Sequence, residues 1–309
     1  MSISPASGAA LTTAQLGSVH IDAVAGKSPV LNLSANRRPF SARRPSVVTS
    51  SPFDVNYHGG TVIGGAVQHA ILISTNLQNC NVDPSASSTC WGVPGTNQTD
   101  LGASSFVNSI LGQYENGLNQ LNRYPRGTQA FVTLNVLPPH PGVQNPVIGE
   151  SDLLLTAFNV ASQLGFGYGH IYHLFLPPNT DTCFDQTSEC YSPDNPNSFF
   201  FCAYHSSVTF GGQKLIYTVE PYQDVAGCGF IGGVNTTAGD DVIDSTMNTL
   251  THELMETLSD PDVGTGWINP SGDEIADICV WHLTNVNMNG NNYTVQSIWS
   301  NGIHLCTDG

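Results

Sequence analysis

Residues Asp241–Ser259, DVIDSTMNTLTHELMETLS, constrain the fold of this chain more than any other stretch. At about 100° per residue, Ile243, Met247, Leu250, Leu254 and Leu258 fall within roughly 80° of one another, an apolar stripe that predicts a helix seated on a core. His252 and Glu256 fall about 40° apart on nearly the opposite side, with Glu253 and Asp260 on their flank. Pro261 predicts that the helix stops near Ser259. The polar side carries a His-Glu-x-x-Glu core. A metal-hydrolase helix of the H-E-x-x-H kind supplies a ligand, an adjacent general base and a second ligand one turn on. His252, Glu253 and Glu256 occupy those three places, with Glu256 standing where a second histidine is usual.

The plain alternative is the solvated face of an amphipathic helix. Such a face mixes signs, pairing Glu with Lys at i, i+4. Here Leu215–Gly309 holds thirteen Asp and Glu and no Lys or Arg. Carboxylates that dense are spread in water, protonated, or neutralised by a bound cation. The sequence favours a cation, with His252 and Glu256 as ligands. A third ligand is expected from a later segment, and Gly266–Cys279 (GWINPSGDEIADIC) offers Asp277 and Glu274. Asp260, just past the expected helix end, is a further candidate, and Asp262 has the ten-residue spacing found in some zinc peptidases. Zinc is the expected ion. The oxygen-rich segment 266–279 also suits calcium, as a second or alternative ion.

Five segments together resemble the phosphate-induced protein 1 / EXORDIUM-like family in its bacterial and fungal form. They are NYHGG (Asn56–Gly60), CAYH (Cys202–His205), the pair Cys228–Gly229, HELMETLSDP (His252–Pro261) and the spaced block from Trp267 to Cys279. The resemblance spans roughly residues 55–309. It implies a secreted, extracellular protein with a mixed α/β body, and it assigns no reaction. By position it carries over His58, His205, His252, Glu253, Glu256, Glu274 and Asp277 as polar landmarks. This chain has Ala276 where the family usually has Gly, and plant members tend to have Asn where this chain has Asp260. His58 and His205 read first as hydrogen-bonded structural residues. In a cleft, either is a neutral ligand or the donor that stabilises an oxyanion, and His205 is the one we place among the catalytic candidates.

Charge is uneven along the chain. Residues 1–50 carry five basic side chains against Asp22 alone, a net of +4, and the remainder carries three against twenty-three acids, a net of −20. So acidic a body repels nucleic acid and anionic membrane, and neither is expected as a partner. Residues 1–50 read as a basic, flexible segment, either a pro-segment covering the acidic cleft or a plain tail. They lack the apolar core of a signal peptide, and no run of about 20 apolar residues predicts a membrane span. Eight cysteines with no C-x-x-C pair argue for disulfides in a secreted protein. The simplest pairing joins nearest neighbours: Cys80–Cys90, Cys183–Cys190, Cys202–Cys228 and Cys279–Cys306. Sequons stand at Asn32, Asn97, Asn235 and Asn292.

Coarse periodicity predicts strands at Val62–Thr75, Ala130–Leu137, His170–Leu176, Ser198–Tyr204 and Lys214–Val219. It predicts helices at Ser104–Leu121, Ser151–Leu164 (Ser151 as N-cap) and Asp241–Ser259, and a long loop over Pro177–Asn197. The expected fold is one α/β body (α+β mixed) over residues 51–309, a mixed sheet flanked by helices with a zincin-like active-site helix and disulfide-stapled loops. The expected function is a secreted metal-dependent hydrolase acting on protein or peptide. His252 and Glu256, with Asp277 or Asp260, would be its ligands and Glu253 its general base. The alternative is an extracellular cell-wall or carbohydrate-binding protein with a structural calcium site, aromatic rings that stack on sugars, and no catalysis.

Overall fold

Runs rich in β-branched and aromatic residues, each bounded by Gly, Pro or Asn, build the centre of the molecule. The structure is a computed structural model. It describes residues 51–75, 80, 88–92, 124–134, 147–183, 190–193, 201–223, 225, 227–229 and 241–308. The basic segment 1–50, the helix predicted at 104–121 and the sequons at Asn32, Asn97 and Asn235 lie outside these residues.

The elements in chain order begin with β1 (Asn56–Tyr57), β2 (Val67–Thr75), the short helix α1 (Ser88–Trp91), β3 (Arg126–Leu134), β4 (Val147–Gly149), α2 (Glu150–Leu164) and β5 (His170–Phe175). There follow β6 (Asp181–Cys183), β7 (Cys190–Tyr191), β8 (Tyr204–Phe210), β9 (Gln213–Glu220) and α3 (Asp241–Ser259). The chain then forms β10 (Trp267–Ile268), a 3₁₀ turn at Asp277–Cys279, β11 (Leu283–Met288), β12 (Asn291–Gln296), β13 (Ile298–Ser300) and β14 (Leu305–Thr307). The main sheet has five strands in the order β3-β2-β5-β9-β8. Its first four are parallel and β8 is the antiparallel edge, so the sheet is mixed.

Alternation along each strand sorts residues onto two faces. Ile71, Ile73, Tyr172, Leu174, Leu215, Tyr217 and Val219 pack with α2 in one core. Ala70, Leu72, Ile171, Phe175 and Ile216 pack in the other core, with Ile243, Met247, Leu250, Leu254 and Leu258 of α3. The apolar stripe of α3 is thus seated on the sheet, and its ends match the sequence expectation. The same alternation puts His205 of β8, His173 of β5, and Thr218 and Glu220 of β9 on the α3 face. Polar groups therefore lie beneath the helix that carries the His-Glu-x-x-Glu core.

Three expectations need correction. The strand expected at Ser198–Tyr204 begins at Tyr204, because β8 pairs with β9 as a hairpin closed at Gly211–Gly212. Both glycines hold positive φ (55° and 85°), as a two-residue hairpin turn requires. Helix α2 begins at Glu150 with Gly149 as N-cap, so Ser151 lies within the first turn. The Glu150 carboxylate is drawn into the core by the hydroxyls of Tyr204 and Tyr217. Within Pro177–Asn197, β6 and β7 pair antiparallel, so the segment is not all loop.

All four nearest-neighbour disulfides are present: Cys80–Cys90, Cys183–Cys190, Cys202–Cys228 and Cys279–Cys306. Four bridges suit an oxidising, extracellular setting. Among the described residues, no helix is long and apolar enough to cross a membrane.

Candidate metal centre

The polar side of α3 is not solvated. Glu253 and Glu256 are 4% and 3% exposed: Glu253 faces His205 of β8, and Glu256 is covered by the 3₁₀ turn, where it accepts the Asp277 N–H. Burying carboxylates without a partner costs several kcal/mol each, so what faces them decides what the site is. His205 reaches in from β8. Its Nδ1 lies 3.4 Å from Glu253 Oε2 and 3.7 Å from Glu256 Oε2. His252 lies one turn before Glu256, with its Nε2 3.1 Å from the same Glu256 Oε2 and 3.7 Å from Asp277 Oδ1. Two groups thus have the composition and spacing to hold a metal ion: His205, Glu253 and Glu256, and His252, Glu256 and Asp277.

Outer hydrogen bonds set the tautomer of both rings. Gln296 Nε2 donates to the Ala276 carbonyl at 2.8 Å, which leaves Gln296 Oε1 as an acceptor. His252 Nδ1–H donates to that oxygen at 3.2 Å, so in the neutral ring Nε2 carries the lone pair. His205 is held in the same way. Its Nε2–H donates to the Asp260 carbonyl at 3.3 Å, so in the neutral ring Nδ1 carries the lone pair. Both lone pairs then point at carboxylate oxygens, a repulsive arrangement unless a proton or a cation lies between. Glu256 is itself aimed, because its Oε1 accepts the Asp277 N–H at 3.0 Å.

The protonation equilibria record the same conflict. Burial opposes charge on both imidazoles, yet the surrounding carboxylates outweigh it. His205 is raised by Glu253 and Glu256, and His252 is raised well above the usual range by Glu256 first. Burial, then the Glu256 charge, pushes Asp277 up to about 7. Burial, then Glu253, pushes Glu220 up to about 8. Glu274 is raised well above its ordinary value by burial and by Glu256. It is 4% exposed, its Oε1 has no hydrogen-bond partner, and that oxygen lies 3.7 Å from His205 Nε2.

Two sequence candidates have other roles here. The Asp260 carboxylate accepts backbone N–H groups from Gly264 (2.7 Å), Thr265 (3.0 Å) and Gly266 (2.6 Å), so it fastens the turn after the helix and belongs to neither metal-capable group. It serves the site through its carbonyl, which orients His205. Asp262 is held by Lys214 (2.6 Å), Ser207 (2.5 Å) and Tyr168 (2.5 Å). Within the segment 266–279 the acids divide between two directions. Asp273 turns back onto Asn269, whereas Glu274 and Asp277 face α3. His58 is exposed and belongs to neither metal-capable group; its backbone N–H donates to the Gly266 carbonyl at 2.8 Å.

The site opens into a cleft of about 700 Å³, with Phe53, Phe201, Ile278, Val280 and Trp281 on its apolar walls. Trp281 holds φ 66°, a conformation that bulky residues rarely adopt. Sequence reasoning did not find Gln296, which orients His252. The signal was present: Asn289–Gly290, both at positive φ, is a strong hairpin turn, and Gln296 ends the strand that follows it. Compared with protein-family models, curated proteins and solved structures, the chain gives no match.

Proposed function

We propose that this protein is a secreted metal-dependent hydrolase whose cation is held by His252, Glu256 and Asp277, with peptides as its substrate. One observation carries the reading. A half-buried imidazole, its neutral tautomer fixed from behind by Gln296, turns a bare nitrogen toward two carboxylates at the floor of a cleft. A divalent ion bound there supplies Lewis acidity and lowers the pKa of a bound water. Glu253, next to His252 on a zincin-like helix, is the base that takes the proton of the attacking water. His205, 3.4 Å from Glu253, holds that carboxylate in place and is the cationic donor nearest the reacting carbonyl oxygen. The apolar walls receive substrate side chains. Two carboxylates in the ligand set leave more negative charge on the ion than two histidines do, which makes it the weaker Lewis acid and turnover slower. The resemblance to EXORDIUM-like proteins and the four disulfides support an extracellular setting.

The test is metal analysis of the purified protein together with a peptidase assay with and without chelator. Glu253→Gln should keep the ion on His252, Glu256 and Asp277 and lose at least 100-fold in turnover, the usual range for a general base. Normal turnover in that variant refutes the assignment. A second reading, a polysaccharide-binding protein, draws on the Tyr57–Trp267 ring pair (centroids 5.5 Å apart, Tyr57 51% exposed), which is suited to stacking on sugars. It predicts retention on polysaccharide and no hydrolysis.

A further inference from the structure

We infer that the cleft binds two divalent cations, the second on His205 Nδ1, Glu253 and Glu256, with Glu256 shared between the two sites. The inference rests on the reading above and extends it. Glu256 Oε2 lies 3.1 Å from the bare nitrogen of His252 and 3.7 Å from that of His205, so one carboxylate oxygen faces both imidazoles. Each imidazole brings its own further carboxylate, Asp277 for His252 and Glu253 for His205. Each is also backed by an acceptor that fixes its tautomer, Gln296 Oε1 for one and the Asp260 carbonyl for the other. The duplication is what distinguishes this centre from a single ion with spare acids near it. With an ion on His252 alone, His205 would have to carry a proton on Nδ1 to face Glu253; a second ion would take the place of that proton.

Charge balance points the same way. The acids in the two groups are Glu253, Glu256 and Asp277, three negative charges beside imidazoles that are neutral when they ligate, more than one divalent ion offsets. Glu274 adds an independent observation. Its Oε1 is buried, makes no hydrogen bond, and faces the Nε2 edge of the same His205 ring 3.7 Å away, one more acid gathered around this imidazole. The donor set, one imidazole per ion with bridging and terminal carboxylates, suits zinc, manganese or cobalt better than calcium. With the second site filled, Glu253 would serve as a ligand to that ion, which replaces the general-base role it has in the single-ion reading.

The test is titration of chelator-stripped, disulfide-intact protein with Zn²⁺ by calorimetry. Wild type should take up two equivalents. His205→Gln and Glu253→Gln should each take up one, and Glu256→Gln should lose both tight events. Cobalt substitution of the wild type, read by electron paramagnetic resonance, needs no variant. Two spin-coupled ions about 3.5–4 Å apart are expected for a shared ligand. One equivalent in wild type, unchanged in His205→Gln, or two uncoupled cobalt ions, overturns the second site and leaves the single-ion hydrolase standing. No stoichiometric uptake overturns both.

Discussion

Gln296 shows how much of this centre is decided one residue behind the ligands. Its side-chain amide cannot flip without losing the bond to the Ala276 carbonyl, so its oxygen must accept from His252 and the imidazole must present Nε2. Its backbone is fixed separately, through a 2.6 Å bond from its N–H to Asn248 Oδ1. Truncating the side chain therefore removes the orienting group while leaving the strand anchored. Gln296→Ala is expected to fold as wild type and to bind Zn²⁺ about 10–100-fold more weakly, the usual effect of losing such a partner. Competition against a chromophoric chelator measures this. An unchanged affinity would mean that packing alone holds the ring.

The element that delivers the site is the turn after α3, and its geometry depends on Asp260 and Gly266 together. A Cβ at Gly266 would lie 2.2 Å from the Ser259 carbonyl oxygen and 2.8 Å from the Asp260 Cα, both backbone atoms that cannot move aside alone. That close approach lets the Gly266 N–H reach the Asp260 carboxylate at 2.6 Å. Gly266→Ala should destabilise the protein by about 2 kcal/mol, within the range for overpacking. It should also weaken Zn²⁺ binding, because the Asp260 carbonyl that orients His205 shifts with the turn. Urea unfolding and the same chelator competition check the two effects. The helix itself was legible from its 3.6-residue apolar period, and its end from Pro261, since both are local signals. The role of Asp260 was not legible. Nothing in SDPD tells a carboxylate that ligates an ion from one that gathers three backbone amides, because the amides belong to residues four to six positions on. The convergence of His205 on Glu253, 48 positions apart in sequence, depends on the pairing of β8 with β9 and is likewise invisible to local pattern.

On the scale of the whole molecule, the sheet separates a core around α2, where Glu150 is held by two tyrosine hydroxyls, from a core that hides a polar line beneath α3. His173 Nδ1 lies 2.8 Å from Thr218 Oγ1, which donates to Glu220 Oε1 at 2.9 Å, and Glu220 in turn feels the charge of Glu253. His173 is fully buried and its Nε2 has no hydrogen-bond partner, so a second proton on this ring would be stranded in the core. Burial first, then the nearby His69, lowers its pKa from the ordinary 6.5 to about 3. Between those two values the unfolded chain binds a proton that the folded chain refuses, so the stability tied to this residue is complete above pH 6.5 and is lost as pH falls toward 3. The acids of the metal centre titrate over part of the same range, and comparison with His173→Leu cancels them because both proteins carry them. As pH is lowered below about 6, wild type should lose stability relative to the variant at a rate approaching 1.4 kcal/mol per pH unit, the limit for one proton. Urea unfolding of chelator-stripped samples from pH 7 to pH 4 reads this difference directly. A gap between the two proteins that stays constant with pH would mean that His173 takes up its proton inside the folded sheet, and that the polar line beneath α3 carries charge instead of a neutral imidazole.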